Sequence, residues 1–362
     1  MLRRTTRRTD ASYQGTPSGV PSVLRYRSAF RRRLAIEIAA RLLRSVEMIS
    51  VLQNPRTKPR ALRPGDKVGI VAPASNVKRE LLEAGCDGLR RAGYEPFYFD
   101  SILDRDLYFA GSAERRAREL EDMFVRDDIR AIVCARGGYG SNYLPLTLDA
   151  GKIVAHPKIL VGYSDITTLL CCIADSANLV TFHGPMAAKD FTVRDGVDLD
   201  SWHNALDGAE HWLIAEGSGA KPMVAGKAEG ILYGGCLSML VSSIGTRHEI
   251  QAAGSILFIE DIAAKPFQID RMMMQLKQAG KLKDVRGLIF GEMIDCRQSP
   301  DQDYTLEEVI LRIVEDLRIP VAFGLRSGHV SRSNITLPIG VRAKLTVDDA
   351  VELQILEAST SR

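Results

Sequence analysis

Three short apolar runs, each ending in a turn of glycine, proline or serine and interspersed with stretches of helical spacing, constrain this chain more than any other feature. The first lies in GDKVGIVAPAS, apolar from Val68 to Ala72 before a Pro and Ser turn; the second is IRAIVCARGGYG; the third is HPKILVGYSD, which stops at Ser164. A continuous apolar run has no polar face to show to water, so such strands are buried on both sides. Residues 78–92 and 112–125 place apolar side chains at helical spacing, and YEPFYF reads as a further strand. Strands alternating with helices predict a mostly parallel sheet covered on both faces, an N-terminal α/β sandwich domain over residues 62–190.

The pattern changes after Lys189. A mixed stretch with Trp202, Trp212 and EGSGAKP reads as an inter-domain connection over residues 191–226. Beyond it short strands dominate (GILYGG, SILFIED, RGLIFGEM, PVAFGL, ITLPIG, AKLTV, VELQIL), with helices near 236–244, 268–280 and 305–317. Residues 227–358 are thus expected to form a smaller β-rich C-terminal domain of mixed strand direction.

Charge is unevenly spread. Residues 1–47 hold eleven arginines against three acids (Asp10, Glu37, Glu47), a balance of +8 in a chain of +3, which leaves −5 for the remainder. A basic surface for nucleic acid is therefore not expected of the folded body. Residues 1–61 read as a basic leader, disordered over 1–33, where little apolar surface offsets ordering entropy, with room for a short amphipathic helix at 34–47. The leader fits an organelle transit segment or a stretch preceding a true start at Met48; a secretory signal fits poorly, since Glu37 and Arg41 interrupt the apolar region. No apolar run approaches the ~20 residues that span a bilayer, so no membrane partner is expected. The six cysteines form no C-x-x-C pair and read as reduced thiols, in keeping with a cytoplasmic location. No H-E-x-x-H or other metal-ligand spacing occurs, and neither a metal nor another cofactor is expected.

Ser164, in G-Y-S-D at 162–165, sits where a strand meets the helical run ITTLLCCIADSA, at the carboxyl edge where ligands of open α/β sheets bind. There it serves either as a nucleophile, with the Asp165 N–H at a helix N-terminus facing a developing oxyanion, or simply as a helix cap. The elbow G-x-S-x-G is not matched, because Ile166 replaces its second glycine. The loop R-G-G-Y-G at 136–140 can bring successive main-chain N–H groups onto an anion, or be a plain turn; it lacks both the phosphate-loop lysine and the full G-x-G-x-x-G. Arg136 and Tyr139 of this loop are candidates for substrate contact. A serine nucleophile needs a base and an acid to orient it. His329, in the polar loop RSGHVS, and His183, in TFHGP, compete for the first role; Glu260 and Glu292, each ending a strand, compete for the second, with Asp261 and Asp295 also open. The Met272–Met274 run reads as packing.

The ordered set GDKVGIVAPAS, ARGGYGSNYLPLTLD, GYSDITTLL, TFHGPMAA, GGCLSML, SILFIEDI, IDRMMMQL, RSGH and ITLPIG, over about residues 62–345, resembles the LD-carboxypeptidase (muramoyltetrapeptide carboxypeptidase) family of serine peptidases, which includes the microcin C immunity peptidases. The resemblance implies Ser164 as nucleophile, Glu260 and His329 as the other triad members, and the main-chain amides of Gly138 and Asp165 as an oxyanion hole. It also implies two domains with the site between them, homodimers, and hydrolysis of the bond to the terminal D-Ala of cytosolic murein tetrapeptides through an acyl-enzyme. An immunity-type peptidase cleaving an aminoacyl-adenylate-like toxin is the alternative within that chemistry, favoured if Trp202 or Trp212 stacks over the crevice. A non-catalytic module that holds an anionic ligand is the alternative outside it.

Overall fold

The first apolar run forms β1 (Lys67–Val71), with Val68 and Ile70 fully buried. In the computed structural model, which describes residues 55–215 and 217–362, β1 is joined by β2 (Glu95–Phe97), β3 (Ile129–Cys134), β4 (Ile159–Gly162) and β5 (Thr181–His183) in the spatial order β5-β4-β3-β1-β2. All these pairings are parallel. The crossovers carry α1 (Arg79–Arg91), α2 (Ala113–Val125), α3 (Ala150–Ala155) and α4 (Thr167–Ser176). Helix α2 starts where Ser112 Oγ accepts the Arg115 N–H at 3.2 Å, and it buries Ala117, Leu120, Met123 and Phe124 as one stripe. Strand order reverses about β1, so the loops leaving the carboxyl ends of β1 and β3 diverge and open a crevice there.

The chain continues through α5 (Leu199–Leu206), β6 (Trp212–Ile214), β7 (Lys221–Val224), β8 (Gly226–Cys236), α6 (Leu237–Ser242), β9 (Ser255–Glu260), α7 (Pro266–Gln278), β10 (Gly287–Gly291), α8 (Leu306–Val314) and β11 (Val321–Leu325). Strands β8 to β11 are parallel neighbours. With β13 (Arg342–Val347) and β14 (Val351–Ile355) they build a second sheet ordered β6-β14-β13-β8-β9-β10-β11-β7, mixed in direction as expected.

Three segments do not follow the sequence-based boundaries. The ITLPIG segment supplies β12 (Leu337–Ile339), which pairs antiparallel with β5 (Leu337 opposite His183) and so edges the first sheet rather than the second. Leu337 and Ile339 are fully buried there, a pairing between distant segments that local periodicity cannot reveal. The stretch 191–226 is more than a connection, since α5, β6 and β7 lie in it. Residues 55–61 of the expected leader are packed: the Thr57 N–H donates to Asn178 O at 2.7 Å, and Arg56 pairs with Asp175 at 2.8 Å. The rest of that leader, Met48 included, lies outside the described residues. All six cysteines are free and buried, and no described helix is long and apolar enough to cross a membrane.

Candidate active site

Ser164 lies two residues past the end of β4 and takes φ +63°. A serine held in the left-handed region is strained by about 1–3 kcal/mol, and such strain persists only where its surroundings over-determine it. The turn into α4 supplies that: Ile166 N–H bonds back to Tyr163 O at 3.2 Å, and Tyr163 and Asp165 on either side are buried. A simple capping serine would accept a main-chain N–H with its side chain, and Ser164 makes no such bond in the turn. Its hydroxyl is left for other work.

On the second sheet Glu260 ends β9, fully buried. Its Oε2 accepts His329 Nδ1–H at 2.7 Å and the His329 main-chain N–H at 3.1 Å. Burial alone pushes the carboxyl up, but the imidazoles of His183 and His329 outweigh it and hold the group at about 2, a carboxylate at neutral pH. With Nδ1 donating, Nε2 of His329 is the free acceptor. The loop that presents it is stapled by Asn334, whose Oδ1 accepts Gly328 N–H at 3.0 Å and whose Nδ2 donates to Gly328 O at 3.1 Å. Gly328 has φ +93°, and a Cβ there would lie 2.6 Å from Glu260 Cδ, so only glycine lets this loop close over the carboxylate. The ring of Tyr163, the residue before Ser164, stands edge-on to the His329 ring with centroids 5.2 Å apart. Ser164 Oγ and His329 are not hydrogen-bonded here; such bonds commonly tighten only around substrate.

The glycine loop lies on the serine turn. A Cβ on Gly137 would come within 2.9 Å of Ser164 Cβ and 3.3 Å of Asp165 N, and Gly138 has φ +105°. Ser75, from the loop after β1, locks this arrangement: its N–H donates to Gly137 O at 3.4 Å and its Oγ accepts Tyr139 N–H at 3.1 Å. Among the described residues neither Gly138 N–H nor Asp165 N–H donates to a protein acceptor, so both are available to an anion beside Ser164. The Asp165 carboxylate, buried, accepts Ser141 N–H at 2.8 Å and ties the turn to the end of the glycine loop; burial raises its pKa despite that bond.

Of the competing acids, Glu292 accepts Ser331 N–H and Oγ–H at 2.8 and 2.7 Å and braces the His329 loop from outside, while Asp261 accepts Ser238 N–H at 2.9 Å in the first turn of α6. Asp295 pairs with Arg297 near the surface. His183 lies on the far side of Glu260, Nε2 to Oε1 3.8 Å, and does not face the crevice. Arg136 is exposed and donates to Asn76 O at 3.4 Å, whereas Tyr139 is 41% exposed in an aromatic group with Tyr108, Phe109 and Tyr143 at the crevice edge.

Arg116 escapes motif reading. It is 2% exposed and donates to Pro73 O, Gly111 O and Gly140 O at 2.5, 3.1 and 2.8 Å, joining three loops that border the crevice. The available signal is periodicity: in α2 it occupies the apolar stripe one turn before Leu120, where a cation has no place unless it is fully bonded.

Residues 68–184 match the LD-carboxypeptidase N-terminal domain and residues 229–345 the LD-carboxypeptidase C-terminal domain. The chain is 38% identical over 307 residues to a probable murein peptide carboxypeptidase of Bacillus subtilis, covering 84% of this chain and 95% of the relative. It is similar in structure to the muramoyltetrapeptide carboxypeptidase from Oxalobacter formigenes (TM-score 0.72, 30% identity, 80% of this chain and 98% of that one). It is also similar to MccF in complex with glutamyl sulfamoyl guanosine (TM-score 0.78, 25% identity, 84% and 99%).

Proposed function

The chain belongs to the LD-carboxypeptidase family of peptidases, and from that premise we propose that it is a serine-type LD-carboxypeptidase that removes the terminal D-Ala of murein tetrapeptides. The observation that carries the reading is the 2.7 Å bond from His329 Nδ1 to a fully buried Glu260, on the loop facing a strained Ser164 turn. His329 Nε2 takes the Ser164 proton as Oγ attacks the carbonyl of the residue preceding D-Ala, and Glu260 stabilises the imidazolium. The oxyanion sits between the N–H groups of Gly138 and Asp165, each worth about 2.7–4 kcal/mol of barrier. Collapse passes the proton from His329 to the leaving amine; water then hydrolyses the ester by the same route.

An acidic peptide suits the surroundings. A cavity of ≈ 740 Å³ beside the His329 loop is lined by Lys189, Arg194, Arg326 and Arg332 against Asp190 and Asp195, and Asp190 is already engaged by the Met186 N–H at 2.8 Å. Murein tetrapeptides carry several carboxylates. Both tryptophans that would favour the toxin-cleaving alternative are packed away: Trp202 is fully buried with Nε1 donating to Tyr94 Oη at 3.1 Å, and Trp212 is 8% exposed. The reading brings with it a cytoplasmic location, where murein fragments are recycled, and a homodimeric assembly.

The test is D-Ala release from murein tetrapeptide by the wild type and by Ser164→Ala, with an aminoacyl sulfamoyl nucleotide as competing substrate. Release by the wild type alone is expected. Absence of wild-type release sinks the substrate, equal release by both sinks the nucleophile, and preferential cleavage of the nucleotide conjugate transfers the protein to the immunity type.

A further inference from the structure

His183 ends β5 on the first sheet, fully buried, and its Nε2 lies 3.8 Å from Glu260 Oε1 on the second. Neither atom has a hydrogen-bond partner among the described residues. The other ring nitrogen decides how many protons the imidazole carries. Ser327 has one hydroxyl proton and donates it to Ile335 O at 2.8 Å, so toward His183 Nδ1, 3.1 Å away, its oxygen can only accept. Nδ1 therefore bears hydrogen. A bare Nε2 would then point its lone pair at a carboxylate oxygen inside a site closed to water, two acceptors with no donor between them. A proton has to reside on one of the two atoms. Glu260 is the poorer host, because its Oε2 already accepts two N–H groups from His329, which favour the anion.

We propose that His183 is a resident imidazolium that ion-pairs with Glu260 Oε1 while Oε2 serves His329, a positioning residue that fixes the rotation of the triad carboxylate and divides its charge between two imidazoles. The remaining groups around the ring do not supply that proton or that charge. The Phe258 ring lies at 5.1 Å and the Tyr163 ring at 6.0 Å. Behind Tyr163, the hydroxyl meets Asp190 Oδ1 at 3.4 Å and Lys189 Nζ stands 5.2 Å from the ring centre. Beside Glu260, Asp261 is bonded to Ser238, and the Cys236 thiol, paired in register with Glu260, is pushed up by burial and stays protonated.

The consequence for catalysis is that His329 accepts the Ser164 proton in the presence of a second cation on the same carboxylate. That cation restrains the basicity of His329; without it the acid limb of the kcat/KM profile moves to higher pH. This kinetic consequence rests on the triad proposed above; the protonation of His183 does not.

The experiment therefore has two arms. NMR of the unmodified protein labelled with ¹⁵N-histidine counts ring protons: His183 is expected to carry hydrogen on both Nδ1 and Nε2 at pH 8, where exposed histidines carry one. A single ring proton on His183 at that pH overturns the proposal whatever the substrate proves to be. In the second arm, His183→Gln, checked for folding by circular dichroism, is expected to shift the acid limb for D-Ala release upward by about one pH unit. A limb that stays in place in the folded variant overturns the charge sharing, and a loss of kcat with no shift reduces His183 to packing. Should the wild type release no D-Ala, the fault lies with the substrate reading, and the NMR arm still decides.

Discussion

Replacing Gly328 by alanine tests how tightly the second sheet holds its carboxylate. At φ +93° the new side chain brings backbone strain of about 1–2 kcal/mol. It also places Cβ 2.6 Å from Glu260 Cδ and 2.9 Å from Oε2, where ordinary contact begins at 3.4 Å, so relief requires the carboxylate and loop to part by about 0.8 Å. Glu260 has little room to retreat, because a Cβ on Gly291, behind it, would lie only 2.7 Å from Glu260 Cβ. The 2.7 Å bond to His329 must lengthen or turn, and a misplacement near 1 Å costs on the order of 10² in rate. Gly65→Ala separates the two effects: at φ +88° with nothing within 4 Å of its Cβ, it carries the backbone strain without the collision. Urea denaturation should show both variants destabilised by about 1–2 kcal/mol, and more for Gly328→Ala. D-Ala release should fall about 100-fold in Gly328→Ala alone. Wild-type kcat/KM in Gly328→Ala would refute the claim that loop closure over Glu260 sets the base.

Three further outcomes follow from the same geometry. Ser164→Gly and Ser164→Ala should both abolish D-Ala release, but only glycine removes the strain at φ +63°, so its urea midpoint should correspond to about 1 kcal/mol more stability than that of the alanine variant; equal midpoints would mean the turn is unstrained. Arg116→Met deletes the donor to three main-chain carbonyls and should destabilise by at least ~3 kcal/mol while lowering kcat/KM; unchanged stability would show that those carbonyls find other partners. The Glu260 carboxyl, held at about 2 against 4.5, contributes stability that is fully present above pH 4.5 and is lost as pH falls toward 2, about 3 kcal/mol in all. Glu260→Gln should flatten that acid limb of the stability curve, and an equally steep loss in the variant would assign acid unfolding to other groups.

What could be read from the chain alone follows from locality. Apolar runs of strand length such as Val68–Ala72 and Ile159–Gly162 announce buried parallel strands, because burial on both faces is written into consecutive residues. The glycines and Ser164 that end those runs mark the carboxyl edge, and the alternation with helices gives the first sheet. The motif resemblance added Glu260 and His329, which periodicity could not separate from Glu292 and His183.

Tertiary structure decided what depends on contacts between distant segments. Leu337–Ile339 edges the first sheet because it pairs with β5, some 150 residues earlier in the chain, although its own pattern is that of any short strand. Arg116 belongs to the site because three loops bring their carbonyls to it, a convergence no single segment encodes. The two rival histidines lie beside one carboxylate, His329 bonded to it at 2.7 Å and His183 at 3.8 Å, and the second nitrogen of His183 meets a serine hydroxyl. Local sequence sets which residues can be buried and where strands stop; hydrogen-bond partners and the charge of a buried group are properties of the assembled neighbourhood.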